Sequence, residues 1–319
     1  MVASPSPARA AAPWLIVGAG YTGRYLAARL YARGAAVTVT TRAADAANAL
    51  AATLTAATND TATASEPAVA SRTPIRGLAF AGDAVSLELA RAAHNARVIW
   101  LAPPPTTLTA CLPICENARH LTYLSATSVY GHATVVEEHT ACAPLSSAGH
   151  ARRAAELALE AACTQFARPL AIVRAAGIYG RGPRALLQRA HDQGLRVIGD
   201  GRAVVCRVHI DDLVALLLAV ADTEVTGVIP AADDAPTPYG EVADAIAAAL
   251  HRPAPPRIAL DQVSADTAAM FTANRRIGNA RMRHIIGPLS YPSWRTALAA
   301  ELAAEAATPA TPPGQAATE

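Results

Sequence analysis

Residues 14–34 read WLIVGAGYTGRYLAARLYARG. Four apolar residues run into glycine, and beyond the glycines Leu26 and Leu30 recur at helical spacing until Gly34 ends the pattern. A short buried strand, a tight turn and a helix follow from that order. Gly18, Gly20 and Gly23 form a G-x-G-x-x-G turn between strand and helix, the context in which each glycine has a separate task. The first permits the tight turn, the second lets a pyrophosphate approach the backbone, and the third lets helix and strand pack closely. Free N–H groups and a partial positive charge at the helix start complete a dinucleotide site.

Outward from this unit the text keeps alternating. AAVTVTTR is a β-branched second strand ending at Arg42, and Ala43 to Thr73 is Ala/Thr-rich, read as a helix followed by a low-complexity insertion over about 48–71. Further strands are expected in IRGLAFAGD (Ile75 to Asp83), RVIWLAPPP (Arg97 to Pro105), HLTYLSATSVYG (His120 to Gly131) and PLAIVRAAGIYG (Pro169 to Gly180). Helices are expected before Asn95 and from Gly149 to Ala167. Strands alternating with helices imply a doubly wound parallel sheet, an α/β Rossmann fold. The remainder is mixed: a β-like AVVCRVHI, the apolar helix DDLVALLLAVAD, a strand near GVIPAAD, the helix GEVADAIAAAL and a last helix from about Ser293. Residues 1–12 and 304–319 read as solvated tails, the first without the apolar stretch of a signal peptide.

Composition narrows the chemistry. At 319 residues and 52% hydrophobic the chain can bury one large or two modest cores, and no apolar run approaches a membrane span. Its 27 basic residues are all arginine, which closes every route through a lysine nucleophile, a Schiff base or a P-loop lysine. Charge is balanced at +2, so no nucleic-acid partner is expected. Five scattered cysteines (Cys111, Cys115, Cys142, Cys163, Cys206) fit buried thiols in a reducing cytoplasm, and no ligand spacing calls for a metal.

The second strand bears on the choice of dinucleotide. An NAD site usually ends that strand with a carboxylate for the ribose 2′-OH. Here Thr40-Thr41-Arg42 stands there, and a hydroxyl followed by a guanidinium suits the 2′-phosphate of NADP, with NAD the lesser fit. Asp83, after the third strand, is placed for the adenine ring.

GAGYTG, LAPPP, YLSATSVYG, RAAGIYGRGP and VHIDDL, with TANRRIGNARMR and LSYPSWRTAL further on, together resemble the atypical extended short-chain dehydrogenase/reductases. These include epimerase- and dehydratase-like oxidoreductases, and the likeness spans about Pro13 to Leu302. The resemblance implies a Rossmann domain over 13–180 and a smaller α/β substrate domain over 181–303, with about 204–222 returning to the first. It also implies cofactor contacts from Tyr21, Thr22, Ala102, Pro103, Ser125 and Arg152 beside the glycines, Arg42 and Asp83. Such enzymes use a Ser or Thr three residues before VYG and a Tyr-x-x-x-Lys opening the next helix. This chain has Ala126, Ala148 and Arg152 at those three places.

A methyl cannot transfer a proton. The substitutes at hand are Thr127, Tyr130 and His150, with Ser125 and Tyr179 nearby, while Arg152 can keep the cationic ribose contact. Arg174, Arg181 and Arg184 around GIYGRGP are candidates for the anion of a phosphorylated or nucleotide-linked small substrate. His209, Asp211 and Asp212 suggest mainly a helix start capped by one of the aspartates. The expected protein is an NADP(H)-binding oxidoreductase or epimerase with a rearranged proton donor. The rival is a non-catalytic module that senses NADP(H).

Overall fold

The computed structural model describes residues 12–61, 72–82, 84–101 and 108–307. Its centre is a parallel sheet of seven strands: β1 (Trp14–Val17), β2 (Val37–Thr41), β3 (Arg76–Ala79), β4 (Arg97–Trp100), β5 (His120–Ala126), β6 (Leu170–Ala175) and β7 (Gly227–Ala231). They lie in the order β7-β6-β5-β4-β1-β2-β3. The order reverses between β1 and β4, and in such sheets ligands bind at the carboxyl ends beside that switch.

Alternation along each strand builds two cores. Trp14 and Ile16 of β1 face one side with Val37, Val39 and Ile99, beneath α1 (Tyr21–Ala32), α2 (Ala44–Asp60) and α7 (Ile210–Thr223). Leu15 and Val17 face the other with Val98, Trp100 and Tyr123. There they meet Leu89 of α3 (Leu87–Ala93), Ile114 of α4 (Leu108–Asn117) and Leu159 of α5 (Ser147–Gln165). Burial on both faces explains why these strands read as continuous apolar runs.

A third core forms around Tyr179, Leu187, Val242, Ile246, Trp294 and Leu298. It joins α6 (Leu186–Gln193), α8 (Tyr239–Ala249) and α11 (Trp294–Ala307), with α9 (Ala265–Thr272) and α10 (Ala280–Ile286) between α8 and α11 in sequence. No helix among the described residues is long and apolar enough to cross a membrane.

Several boundaries differ from the sequence reading. The stretch read as an insertion from about 48 is helical as far as Asp60. It packs through Ala47, Leu50, Ala51 and Thr58, so closely that a Cβ on Gly77 would stand 2.3 Å from the Ala47 carbonyl. An apolar stripe made mostly of alanine is invisible to a search for large side chains. Residues 62–71 of that stretch lie outside the described residues, as do 1–11 and 308–319 of the expected tails. Residues 304–307 belong to α11 rather than to a tail.

The stretch 169–180 divides into β6 and a short strand Gly177–Tyr179, which leaves the sheet to pair with Arg207–His209. The return to the main sheet extends past 222, because Gly227–Ala231 is hydrogen-bonded to β6 along its whole length.

Candidate functional site

The glycine turn sits at the carboxyl end of β1. Gly18 holds φ +92°, and its N–H donates to Thr40 Oγ1 at 3.0 Å while the next N–H, of Ala19, donates to the Thr40 carbonyl at 2.8 Å. Thr40, fully buried, therefore shapes the turn from β2, a role that only its position at the end of an alternating strand could have suggested. No side chain caps α1 and no acidic residue lies in its first turn, so its leading N–H groups are available to an anion.

The two glycines inside the motif differ. A Cβ on Gly23 would meet the Gly18 carbonyl at 3.0 Å and Leu101 at 3.2 Å, whereas a Cβ on Gly20 would meet nothing within 4 Å. The fold needs the first bare, and only a ligand needs the second. Gly20→Ala should therefore leave the melting temperature within about 2 °C of wild type and weaken dinucleotide binding about tenfold or more, while Gly23→Ala should destabilise by about 1–3 kcal/mol. Calorimetric titration beside thermal melts checks both, and equal effects of the two changes would refute the assignment.

Arg42 is exposed just past β2 and pairs with no other described residue, leaving its guanidinium open. Thr41 turns its hydroxyl to the Ala43 carbonyl at 2.8 Å. Thr22 is buried in the first turn of α1 beside half-buried Tyr21. Asp83, Ala102 and Pro103 lie outside the described residues. At the carboxyl end of β5 the Ser125 Oγ is buried with no hydrogen-bond partner, an orphan that a bound group in the cleft could satisfy. Arg152 donates to the Leu124 carbonyl at 3.1 Å and to Tyr123 Oη at 3.3 Å, tying α5 to the end of β5. The glycine turn, the exposed Arg42 and the orphan Ser125 fit a dinucleotide.

The proton-donor candidates are placed unequally. Thr127 is half-buried in the 3-10 turn Thr127–Tyr130 that follows β5, and His150 is exposed near the start of α5, close to the exposed methyl of Ala148. Tyr130 is only 1% exposed, its ring 4.9 Å beneath the Arg174 guanidinium. Burial pushes its phenol up from the ordinary value. The turn is held from across the chain: Arg275 donates to the carbonyls of Thr127, at 2.8 Å, and of Gly131, at 3.0 Å.

The structure separates the three arginines expected to form an anion cluster. Arg174 is buried against Glu156, with two bonds of 2.9 and 2.8 Å. Arg181 pairs with Asp211 at 3.0 Å. Arg184 alone lines a cavity, where its Nη1 donates to the Ile178 carbonyl at 3.2 Å and its guanidinium lies 5.1 Å over the Tyr21 ring. That cavity, about 570 Å³, is also lined by Arg189, Arg196 and Arg207, which the sequence reading missed. Among the described residues no carboxylate lines it. Arg207, two residues before His209 in a strand, carried the only usable hint, a charge amid an apolar run.

The cap of α7 also differs from expectation. His209 supplies it, Nδ1 accepting from the Asp211 N–H at 3.2 Å. The aspartates are engaged elsewhere, Asp211 by Arg181 and Asp212 by the N–H groups of Ser290 and Tyr291 at 2.8 and 2.9 Å. His209 stacks on Tyr291, centroids 3.6 Å apart, and burial drives its pKa down to about 4, which keeps the ring neutral and able to accept.

The profile of the NAD dependent epimerase/dehydratase family matches residues 14–231. No curated protein matches the sequence. Among solved structures, a functionally unknown conserved protein from Silicibacter pomeroyi is 27% identical, with TM-score 0.73, over 93% of this chain and 100% of its own. The dTDP-glucose 4,6-dehydratase of Bacillus anthracis, solved with NAD, shares the fold at 15% identity and TM-score 0.71, over 92% of this chain and 96% of its own. The UDP-glucuronic acid 4-epimerase of Bacillus cereus, solved with UDP-glucuronic acid and NAD, does so at 18% and 0.67, over 91% and 98%.

Proposed function

Since this chain belongs to the NAD dependent epimerase/dehydratase family, we propose that it binds NADP(H) at the Gly18–Gly23 turn and acts as an oxidoreductase or epimerase. Its substrate on this reading is a small phosphorylated or nucleotide-linked molecule. The observation that carries the reading is the adjacency of an uncapped helix start to an arginine-lined cavity with no carboxylate among the described residues of its wall, with Arg184 lining the cavity while lying over Tyr21 at that helix start. A pure dinucleotide sensor has no use for such a cavity. In this assignment residues 181–303 form the substrate-binding part. The free thiols of Cys115, Cys142, Cys163 and Cys206 suit a cytoplasmic setting.

When bound, the dinucleotide supplies hydride chemistry. The chain supplies the rest. The α1 start receives the pyrophosphate, Arg42 the 2′-phosphate, and Arg152 holds the ribose side of the cleft against β5. The proton is held by Thr127 or His150, whose side chains are not sealed in the core as Tyr130 is. Ala126 and Ala148 favour a second reading, a non-catalytic NADP(H)-sensing module, because the hydroxyl and phenol of the usual site are both absent.

Two measurements separate these readings. NADPH should bind more tightly than NADH by about 1.5–3 kcal/mol, and Arg42→Ala should erase most of that difference. Equal affinities in the wild-type protein would remove the NADP assignment. A turnover screen over nucleotide-linked sugars and simple carbonyl compounds then tests catalysis. Turnover that falls about 100-fold or more in His150→Gln or Thr127→Val, at unchanged NADPH affinity, supports the enzyme. Tight NADPH binding with no turnover on any substrate supports the sensor.

A further inference from the structure

In the core between α4 and α5 we infer that Cys115 and Cys163 form a redox-active thiol pair, a site that a small hydroperoxide oxidises to a disulfide and a dithiol reductant restores. Both residues lie in the core on one face of the main sheet, Cys115 1% and Cys163 2% exposed. Their helices are tied together at this level. Arg168, just past α5, donates from Nε to the carbonyl of Glu116, the residue after Cys115, at 2.9 Å, and from its backbone N–H to the Cys163 carbonyl at 2.8 Å. The Cys115 thiol donates to the Cys163 sulfur, and that bond pulls the Cys163 pKa below the ordinary thiol value although burial opposes it. Thiols already in contact across two packed helices need little backbone movement to close, and closure is possible only where the backbones start near.

Cys163 also borders a cavity of about 300 Å³, walled besides by Glu160, Thr164, Arg168, Leu170 and Gly227. Leu170 and Gly227 open β6 and β7, so this cavity lies at the amino ends of the strands, whereas the glycine turn lies at the carboxyl end of β1. A molecule of water takes up about 30 Å³ in the liquid, and a small hydroperoxide has room here. The pair therefore stands whether or not the chain binds a dinucleotide.

The chemistry balances within the pair and the oxidant. The Cys163 thiolate attacks the outer oxygen of the hydroperoxide; an S–O bond forms, the O–O bond breaks, and the departing oxyanion takes up a proton. The Cys115 sulfur then attacks the resulting sulfenic acid, forming the S–S bond while the S–O bond breaks and the hydroxide leaves with the Cys115 proton as water. Two thiols lose two electrons, and the hydroperoxide gains them, ending as an alcohol or water. A pair that stays reduced until an oxidant arrives is the form that disulfides take in a reducing compartment.

Exposure alone points to another thiol. Cys142 is half-buried and so more open than Cys163, but burial pushes its thiol pKa up. Cys206 is engaged on both sides, donating to the Arg275 carbonyl and accepting from the Ile277 N–H, each at 3.3 Å. The order in which the thiols react thus tests the pair.

The experiment treats the reduced full chain with hydrogen peroxide at neutral pH, quenches with an alkylating reagent, and follows intact mass and peptide maps. The chain should lose two hydrogens with Cys115 joined to Cys163, about tenfold or more faster than Cys142 is oxidised, and dithiothreitol should reverse the change. In Cys115→Ala the reaction should stop at a Cys163 sulfenic acid that dimedone traps, and in Cys163→Ala oxidation of Cys115 should slow about tenfold or more. Cys142 reacting first, a bond from Cys163 to Cys111, or a pair left reduced when Cys142 is fully oxidised would each overturn the inference. These outcomes are read on the wild-type chain, so they decide the matter even if an alanine variant does not fold.

Discussion

Glu156→Ala should destabilise the protein by about 3–5 kcal/mol, the largest loss expected from any single side-chain truncation here. Glu156 is 0% exposed and accepts from Arg174 at 2.9 and 2.8 Å and from Arg153 at 2.9 Å. Removing the carboxylate leaves the Arg174 guanidinium buried against the Tyr130 ring with no counter-charge. That desolvated cation, rather than the lost attraction, makes up most of the cost. Arg174→Met in the same chain should recover part of the loss, because an apolar pair of similar volume restores a neutral core. Urea denaturation of the two single variants and the double variant measures it. A loss under about 1 kcal/mol would show that the Arg174 guanidinium does not depend on Glu156 for its compensation.

Asp233→Asn should do the opposite at alkaline pH, stabilising the protein by a few kcal/mol at pH 8 and by little at pH 4. Desolvation raises the Asp233 carboxyl from 3.8 to about 7. Between those values the folded state holds a proton that the unfolded state has released, so stability falls as pH rises and the full penalty stands above about 7. Asparagine carries no such penalty, and its side-chain oxygen can still accept from the Ala235 N–H, now 3.2 Å from Asp233.

His209 acts with the contrary sign. Its folded value of about 4 lies below the ordinary 6.5, so stability is lost as pH falls through that window. The two contributions oppose each other between about 4 and 6.5, and Asp233→Asn should expose the His209 slope alone. The quantity to plot is the stability difference between variant and wild type against pH, from urea melts. A flat difference would mean that Asp233 titrates normally in the folded protein.

Local physics was legible before any coordinates. The turn at Gly18 to Gly23 depends on sterics within a few residues: a positive φ at Gly18, a helix start at Tyr21 and no room for a Cβ at Gly23. The alternation of apolar runs with helical spacing likewise identified six of the seven central strands and a parallel sheet, because burial on two faces leaves its trace in each strand separately. The seventh strand, Gly227–Ala231, was recognisable as a strand but not as part of this sheet, since its partner β6 is set only by the path of the chain.

Charge was another matter. Arg174, Arg181 and Arg184 look alike in the text, yet one is neutralised by Glu156, one by Asp211, and one lies over an aromatic ring beside a cavity. Arg207 looked incidental, yet it is buried at the cavity wall with Asp233 as its counter-charge in electrostatic terms and no salt bridge among the described residues. The part of the helix Ala44–Asp60 beyond about residue 48 passed for a low-complexity insertion because alanine carries little hydrophobic signal, although packing against Gly77 gives it a buried face. By itself, then, the sequence determined which segments become strands and helices and where the chain makes its glycine turn, because propensity, periodicity and backbone sterics act over a few residues. Only the tertiary structure decided which arginine is paired with a carboxylate and which lines the cavity, because the energy of a charge depends on the partners and the water around it, and the fold brings those together from distant parts of the chain.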